Sequence, residues 1–320
     1  MNITTSFDKN YIYYAIVMFT SLCETNREHH NIYVMNNSLS GDDFKLIEKC
    51  MKKYDVDLFS ITVDFSEYEN RLPVSANWTI ETYYILSLPF NLESDIERIL
   101  YLDVDVIVHG TLEKLYNMDF CGMDLLAAPD SNDKYALDGY SEKQQQMLKD
   151  KLVNSKYFNS GVMLMNLKQI RNRYSFDTYI DAMKQWNFEM TAPDQDILNY
   201  VHAGNVGYID YKKYDLFARM AYNDGWDEEK LKKENIIIHY AGDKPWGGAN
   251  THYCLEMLWW EYAKMTPVKN EIMELFVVNT MSSSRLEQEA IRLNSENKQY
   301  REAICEAGEV MKKIKGLGKK

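Results

Sequence analysis

Arg98-Ile-Leu-Tyr-Leu-Asp103-Val-Asp105-Val-Ile-Val108 sets two carboxylates one residue apart inside an otherwise apolar run. On an extended chain, residues two apart project to the same side. An ionised carboxylate among hydrocarbon is strongly unfavourable, and two so close also repel. A divalent cation resolves both problems, and oxygen ligands of this kind suit Mg²⁺ or Mn²⁺. The stretch therefore predicts a buried strand over 98–102 ending in a metal site on Asp103 and Asp105. Two solvated aspartates opening a loop fit the apolar flanks less well.

Outward from this strand, short β-branched runs alternate with longer amphipathic ones. Strands are expected at 2–5, 31–35, 58–63, 98–102, 125–128, 161–165, 206–209 and 236–239. Helices are expected at 11–23, 42–54, 79–88, 142–153, 166–186 and 194–201. Such alternation implies crossover connections and an α/β fold whose largely parallel sheet is flanked by helices. The ligand crevice of such a sheet opens at the carboxyl ends of its strands.

Polar residues at those ends gain weight accordingly. The run Ile236-Ile-Ile-His239-Tyr-Ala-Gly242-Asp-Lys244-Pro-Trp246 ends in a glycine turn with a cation. His239 offers an imidazole to the same metal, while Lys244 and the Gly242 backbone could hold phosphate oxygens. Taken alone, a histidine here is more often a satisfied core residue. Tyr157-Phe-Asn159-Ser160-Gly161 reads as a turn feeding a buried strand. Pro193-Asp194-Gln195-Asp196 reads as a helix start capped by Thr191. The loop after the first strand, Ser6-Phe-Asp8-Lys-Asn10-Tyr11, carries no glycine-rich phosphate fingerprint.

The 320 residues carry a net charge of −12, with 46% apolar and 26% charged side chains. Disorder, collagen and disulfide-scaffold classes are excluded by those figures. So acidic a chain is not a nucleic-acid binder, and any anionic substrate needs a local cation or a metal. Five scattered cysteines without a CxxC pair fit free thiols in a reducing cytosol. No signal peptide is visible, and the longest early uncharged run, 14 residues from Asn10 to Cys23, is too short to span a bilayer. A soluble, cytoplasmic protein is expected.

Two regions follow from the pattern, an α/β domain over 1–265 and a C-terminal helical extension over 266–320. In the latter, Leu286, Ala290, Leu293, Tyr300, Ile304, Ala307, Met311 and Ile314 trace a 4-3 seam interrupted at Asn297, preceded by serines 282–284 as caps. Residues 284–315 thus read as a long helix or as a coiled coil joining copies of the chain. The last ten residues hold five lysines and no acid, suiting a solvated tail or contact with an anionic membrane face.

Taken in order, YLDVDVIV, YFNSGVMLMNL, DQDILN and HYAGDKPW resemble the family 8 glycosyltransferases, retaining galactosyl- and glucosyltransferases, over residues 1 to 260. The resemblance implies a GT-A fold with a mixed, mainly parallel sheet. It also implies a UDP-glucose or UDP-galactose donor and a carbohydrate or glycolipid acceptor. Asp103, Asp105 and His239 would hold Mn²⁺ (or Mg²⁺). Ser6, Asp8, Asn10, Tyr11 and Val104 match nucleotide contacts, and Gly242 and Lys244 match the diphosphate grip. Asp194, Gln195 and Asn159 match residues around the donor sugar. Asp130 falls at an acceptor contact, and Gln195 and Asp196 are the local candidates for a nucleophile. One departure stands out: Ile85 occupies a position where the family usually carries Arg or Lys. A haloacid-dehalogenase-like phosphatase also begins with DxD at a strand end, but Ile107 stands where its motif prefers threonine. An inert sugar-nucleotide binder is the remaining alternative.

Overall fold

The computed structural model describes residues 1–64, 72, 80–130, 140–247 and 254–281, together with 293, 294, 297, 298 and 304. Its ten strands are β1 Asn2–Ser6, β2 His30–Asn36, β3 Val56–Thr62, β4 Arg98–Leu102, β5 Val106–Val108, β6 Leu125–Pro129, β7 Phe158–Asn166, β8 Val206–Tyr208, β9 Leu216–Phe217 and β10 Ile237–His239. Seven build one sheet in the order β3-β2-β1-β4-β7-β6-β8. From β3 through β4 the pairing is parallel, as it is between β6 and β8. β7 lies antiparallel between β4 and β6. The architecture is a mixed, mainly parallel α/β sheet flanked by helices.

Helix Ile12–Thr25 links β1 to β2 and buries eleven of its residues, which is why that segment reads apolar nearly all round. β7 is buried from Phe158 through Met165, as expected of a strand with both faces covered. Arg171 ties its helix to the loop before β4 by donating to the carbonyls of Pro89, Leu92, Glu93 and Ile96.

Three expectations need correction. The stretch 166–186 forms two helices, Leu167–Arg173 and Phe176–Gln185. Tyr174 is extended, and the Ser175 amide donates to Thr178 Oγ1 at 3.2 Å, starting a second helix rather than continuing the first. Asp103 and Asp105 lie on a tight turn between β4 and β5, not on one extended strand, and the Val106 amide reaches back to the Asp103 carbonyl. Helix Pro193–Val201 begins after Ala192, and Thr191 does not cap it.

β5, β10 and β9 form a second, three-stranded sheet. β10 falls within the strand expected at 236–239, whereas β5 and β9, of three residues and two, are too short for an alternating pattern to declare itself. Ser21 Oγ accepts from the Val108 amide, and Thr25 Oγ1 donates to the Val108 carbonyl, anchoring β5 on the first helix.

The chain divides into two compact units, Met1–Pro245 with His252–Asn270 and Trp246–Thr251 with Glu271–Lys320. In the second, the end of helix Lys269–Met281 exposes Met273, Leu275, Val277, Val278 and Met281. Of the expected seam, Leu293, Asn297 and Ile304 are helical and exposed; its other positions and the serine caps lie outside the described residues. No helix among the described residues is long and apolar enough to cross a membrane.

Candidate active site

A cleft of about 370 Å³ opens where β1 and β4 end. Ser6, Asp8 and Tyr11 line it from the first loop, Asp103, Val104 and Asp105 from the turn after β4, Asn159 and Ser160 from β7, and Asp194 and Gln195 from a helix start. His239, Gly242 and Lys244 close it from the end of β10. Sequence positions more than two hundred residues apart thus meet in one crevice.

Strand register explains the meeting. β10 runs antiparallel to β5 with His239 opposite Val106, and the Tyr240 amide donates to the Asp105 carbonyl at 2.9 Å. The histidine is thereby carried to the turn bearing both aspartates. Its Nε2 lies 3.3 Å from Asp105 Oδ1 and 3.9 Å from Asp103 Oδ2. Ligand atoms of Asp103, Asp105 and His239 all fall within 4.8 Å of one another.

The approach depends on a missing side chain. A Cβ on Gly161 would sit 2.4 Å from His239 Cε1 and 2.9 Å from Asp103 Oδ2. The glycine of Asn159-Ser160-Gly161, ordinary turn chemistry in the sequence, is the clearance that lets the three side chains converge. The Gly161 carbonyl also accepts from the Asp103 amide at 2.8 Å.

Electrostatics in the cluster are strongly perturbed. Burial and the neighbouring Asp105 charge push Asp103 up to about 6. Burial acts the same way on Asp105, but Lys244 and His239 outweigh it and hold its carboxyl below the ordinary range. Burial opposes charge on His239, yet Asp105 and Asp215 prevail and lift it well above the usual imidazole value. Two carboxylates and an imidazole, crowded and partly neutralising one another with protons, form a donor set that a hard divalent cation fits. Lys244 donates to Asp105 Oδ2 and, at 3.1 Å, to the Tyr240 carbonyl.

A second network joins the helix start at Gln195 to β7. Gln195 Oε1 accepts from Asn159 Nδ2 and the Ser160 amide, both at 3.0 Å, and from Ser160 Oγ at 3.4 Å. Gln195 Nε2 donates to Asp130 Oδ2 at 3.3 Å, bringing Asp130 beside the cleft although it is not part of the lining. Burial, followed by the charge of Asp103, raises Asp194 to about 7.

Other expected residues stand elsewhere. Asp196 is fully buried and outside the lining: Oδ1 accepts from Tyr140 and Tyr157 at 2.6 Å, and Oδ2 from the amides of Thr191 and Ala192 at 2.9 Å. It is a structural carboxylate that caps its own helix, which corrects its reading as a nucleophile. Asn10 is exposed and braces Asp8, donating to it from backbone and side chain. Ile85 is fully buried in the core with Tyr83, Leu88 and Ile99, so its position brings no cation to the cleft. Among the described lining residues, Lys244 is the sole lysine or arginine, alongside Asp8, Glu81, Asp103, Asp105 and Asp194.

Two contributors were given no role from the sequence, although Asn199 closes the DQDILN motif. Asn199 is buried and pairs with both the amide and the carbonyl of Phe158, pinning the Gln195 helix to β7. Asp215 reaches the far nitrogen of His239 at 2.8 Å.

The family model described as glycosyl transferase family 8 matches residues 2–249. The chain belongs to that family. Among its relatives, the lipopolysaccharide 1,2-glucosyltransferase of Escherichia coli is 25% identical over 259 residues, 77% of this chain and 73% of that one. The lipopolysaccharide 1,3-galactosyltransferase of Salmonella typhimurium is 24% identical over 249 residues, 77% and 72%. Among solved structures, an active-site mutant of LgtC superposes with a TM-score of 0.71 at 24% identity, covering 83% of this chain and 96% of that one. The galactosyltransferase LgtC with donor and acceptor sugar analogs gives 0.69 at 23%, with the same coverage. At such identity these structures establish the fold, which is of the GT-A type. As a family 8 member the protein is a glycosyltransferase, and the phosphatase and inert-binder alternatives fall.

Proposed function

We propose that this glycosyltransferase moves glucose or galactose from its UDP donor, with retention and with the help of Mn²⁺ (or Mg²⁺), to a glycan or glycolipid acceptor. The carrying observation is the charge of the cleft: five carboxylates against one lysine among the described lining residues, with Asp103, Asp105 and His239 converging. An anionic diphosphate would be repelled from such a surface unless a divalent cation accompanied it. Bound by those three residues, the cation supplies Lewis-acid neutralisation of the leaving diphosphate.

The chain's own residues do the rest. Asp8 and Tyr11 offer polar and aromatic contacts for the nucleoside. Lys244 exchanges its hold on Asp105 for a phosphate oxygen, which also frees that carboxylate. Asp194, with a pKa of about 7, can either donate to or accept from a sugar hydroxyl at neutral pH. Gln195 and Asn159, locked to one another, orient the donor sugar, and Asp130 faces the acceptor.

Retention without a nucleophile is the favoured course. Gln195 Oε1 already accepts three hydrogen bonds, and Asp196 lies outside the cleft. In a front-face return, the bond from the anomeric carbon to the diphosphate oxygen breaks. The acceptor oxygen then bonds to that carbon from the same side, and its proton passes to the departing phosphate oxygen. A glycolipid acceptor would set the reaction at the cytoplasmic membrane face, where the terminal lysines complement anionic lipid.

Thermal melting with UDP-sugars, in Mn²⁺ and in EDTA, tests the proposal. Stabilisation by one UDP-hexose only when Mn²⁺ is present is expected. Equal stabilisation in EDTA would overturn the metal-dependent reading.

A further inference from the structure

Lys213-Tyr-Asp215-Leu-Phe217 advertises no chemistry as a sequence, yet it places a carboxylate behind the metal ligands. β9 pairs in parallel with β10, setting Phe217 opposite His239, and Asp215 immediately precedes β9. Asp215 is 2% exposed. Its Oδ1 stands 2.8 Å from His239 Nδ1, while its Oδ2 has no partner among the described residues. The Phe217 ring meets the imidazole edge-on at 5.2 Å.

An ionised carboxylate can only accept, so His239 Nδ1 must carry the shared proton. A neutral ring then has its lone pair on Nε2, the nitrogen that faces Asp103 and Asp105. A buried carboxylate with one oxygen unmatched is a poor choice if the task is only to satisfy an N–H. An amide or hydroxyl oxygen would do so without a buried charge. The negative charge becomes favourable when a cation sits on the other side of the imidazole.

We infer that Asp215 is a positioning residue for the divalent cation, fixing the tautomer and orientation of His239 and placing a third negative charge behind Asp103 and Asp105. This rests on the metal-dependent reading proposed above. Partners of this kind typically strengthen metal binding by ~10–100-fold.

The test is Mn²⁺ titration of the full chain, stripped with EDTA and followed by the electron paramagnetic resonance signal of free Mn²⁺. Asp215→Asn keeps the acceptor and removes the charge, whereas Asp215→Ala removes both. About 10-fold weaker Mn²⁺ binding is expected for Asp215→Asn, with a larger loss for Asp215→Ala. The metal-free melting temperature of each variant is read in parallel to separate loss of folding from loss of binding, the amide oxygen of Asp215→Asn still accepting from Nδ1. Wild-type Mn²⁺ affinity in Asp215→Asn overturns the inference, and a lowered metal-free melting temperature with unchanged affinity would assign Asp215 a structural role instead. Failure of the unaltered chain to bind Mn²⁺ overturns the metal-dependent reading itself, and this inference with it.

Discussion

Replacing Gly161 with alanine adds one methyl group where the structure has no room. Its carbon would lie 2.4 Å from His239 Cε1, against an ordinary contact of 3.4 Å or more, so the ring or the strand must yield by about 1 Å. Asp103 Oδ2 and Asn159 Oδ1, each 2.9 Å away, block the alternative directions. Metal–ligand distances tolerate errors of only about 0.2 Å, so a displacement several times larger removes His239 from effective coordination. The expected consequence is at least ~100-fold weaker Mn²⁺ binding, beyond what loss of a supporting residue costs. Overpacking should also lower stability by ~1–3 kcal/mol. Isothermal titration with Mn²⁺ measures the first effect and urea denaturation in EDTA the second. A folded Gly161→Ala variant that binds Mn²⁺ like the unaltered chain would refute the packing account of the site.

Three further outcomes are expected. Lys244→Ala removes the one lysine among the described lining residues, so UDP should bind about 10-fold more weakly in saturating Mn²⁺, about 1.4 kcal/mol; equal affinity by titration calorimetry would exclude a diphosphate contact. Asp196→Ala leaves two tyrosine hydroxyls and two amides without their acceptor and should cost at least ~2 kcal/mol by urea unfolding; a loss below ~0.5 kcal/mol would return Asp196 to consideration as a reactive group. Asp194 has its pKa raised from 3.8 to about 7, so between those values the folded chain binds more protons than the unfolded one. Its contribution therefore falls as pH rises from about 4 to 7 in metal-free protein, and Asp194→Asn should flatten that slope. Parallel urea midpoints for the two proteins across that range would show the shift to be wrong.

Much of the fold is legible in the chain because long periodic segments report their own burial. The run 98–102 could be little else than a covered strand, and residues 12–25 could be little else than a helix packed on both sides. The break at Tyr174 and Ser175 was hidden because the apolar spacing continues across it. The strands at 106–108 and 216–217 were obscure for a different reason: pairs and triplets of residues have no period, and only partners make them strands.

The candidate site divides along the same line. Residue chemistry alone marked Asp103 and Asp105, since a carboxylate pair in an apolar run requires a counter-charge wherever the chain goes. The glycine turn after residues 236–239 put forward His239 and Lys244 as companions, and family resemblance added Gln195. Tertiary structure separated neighbours that look equivalent in a linear reading: Asp194 faces the cleft, Gln195 is locked to Asn159, and Asp196 turns inward to cap its helix, because a helix points adjacent side chains in different directions. Only folding could reveal that Gly161 is a clearance and that Asp215 stands behind His239. Those roles are distances between segments, and distance in space is not encoded in the identity of either residue.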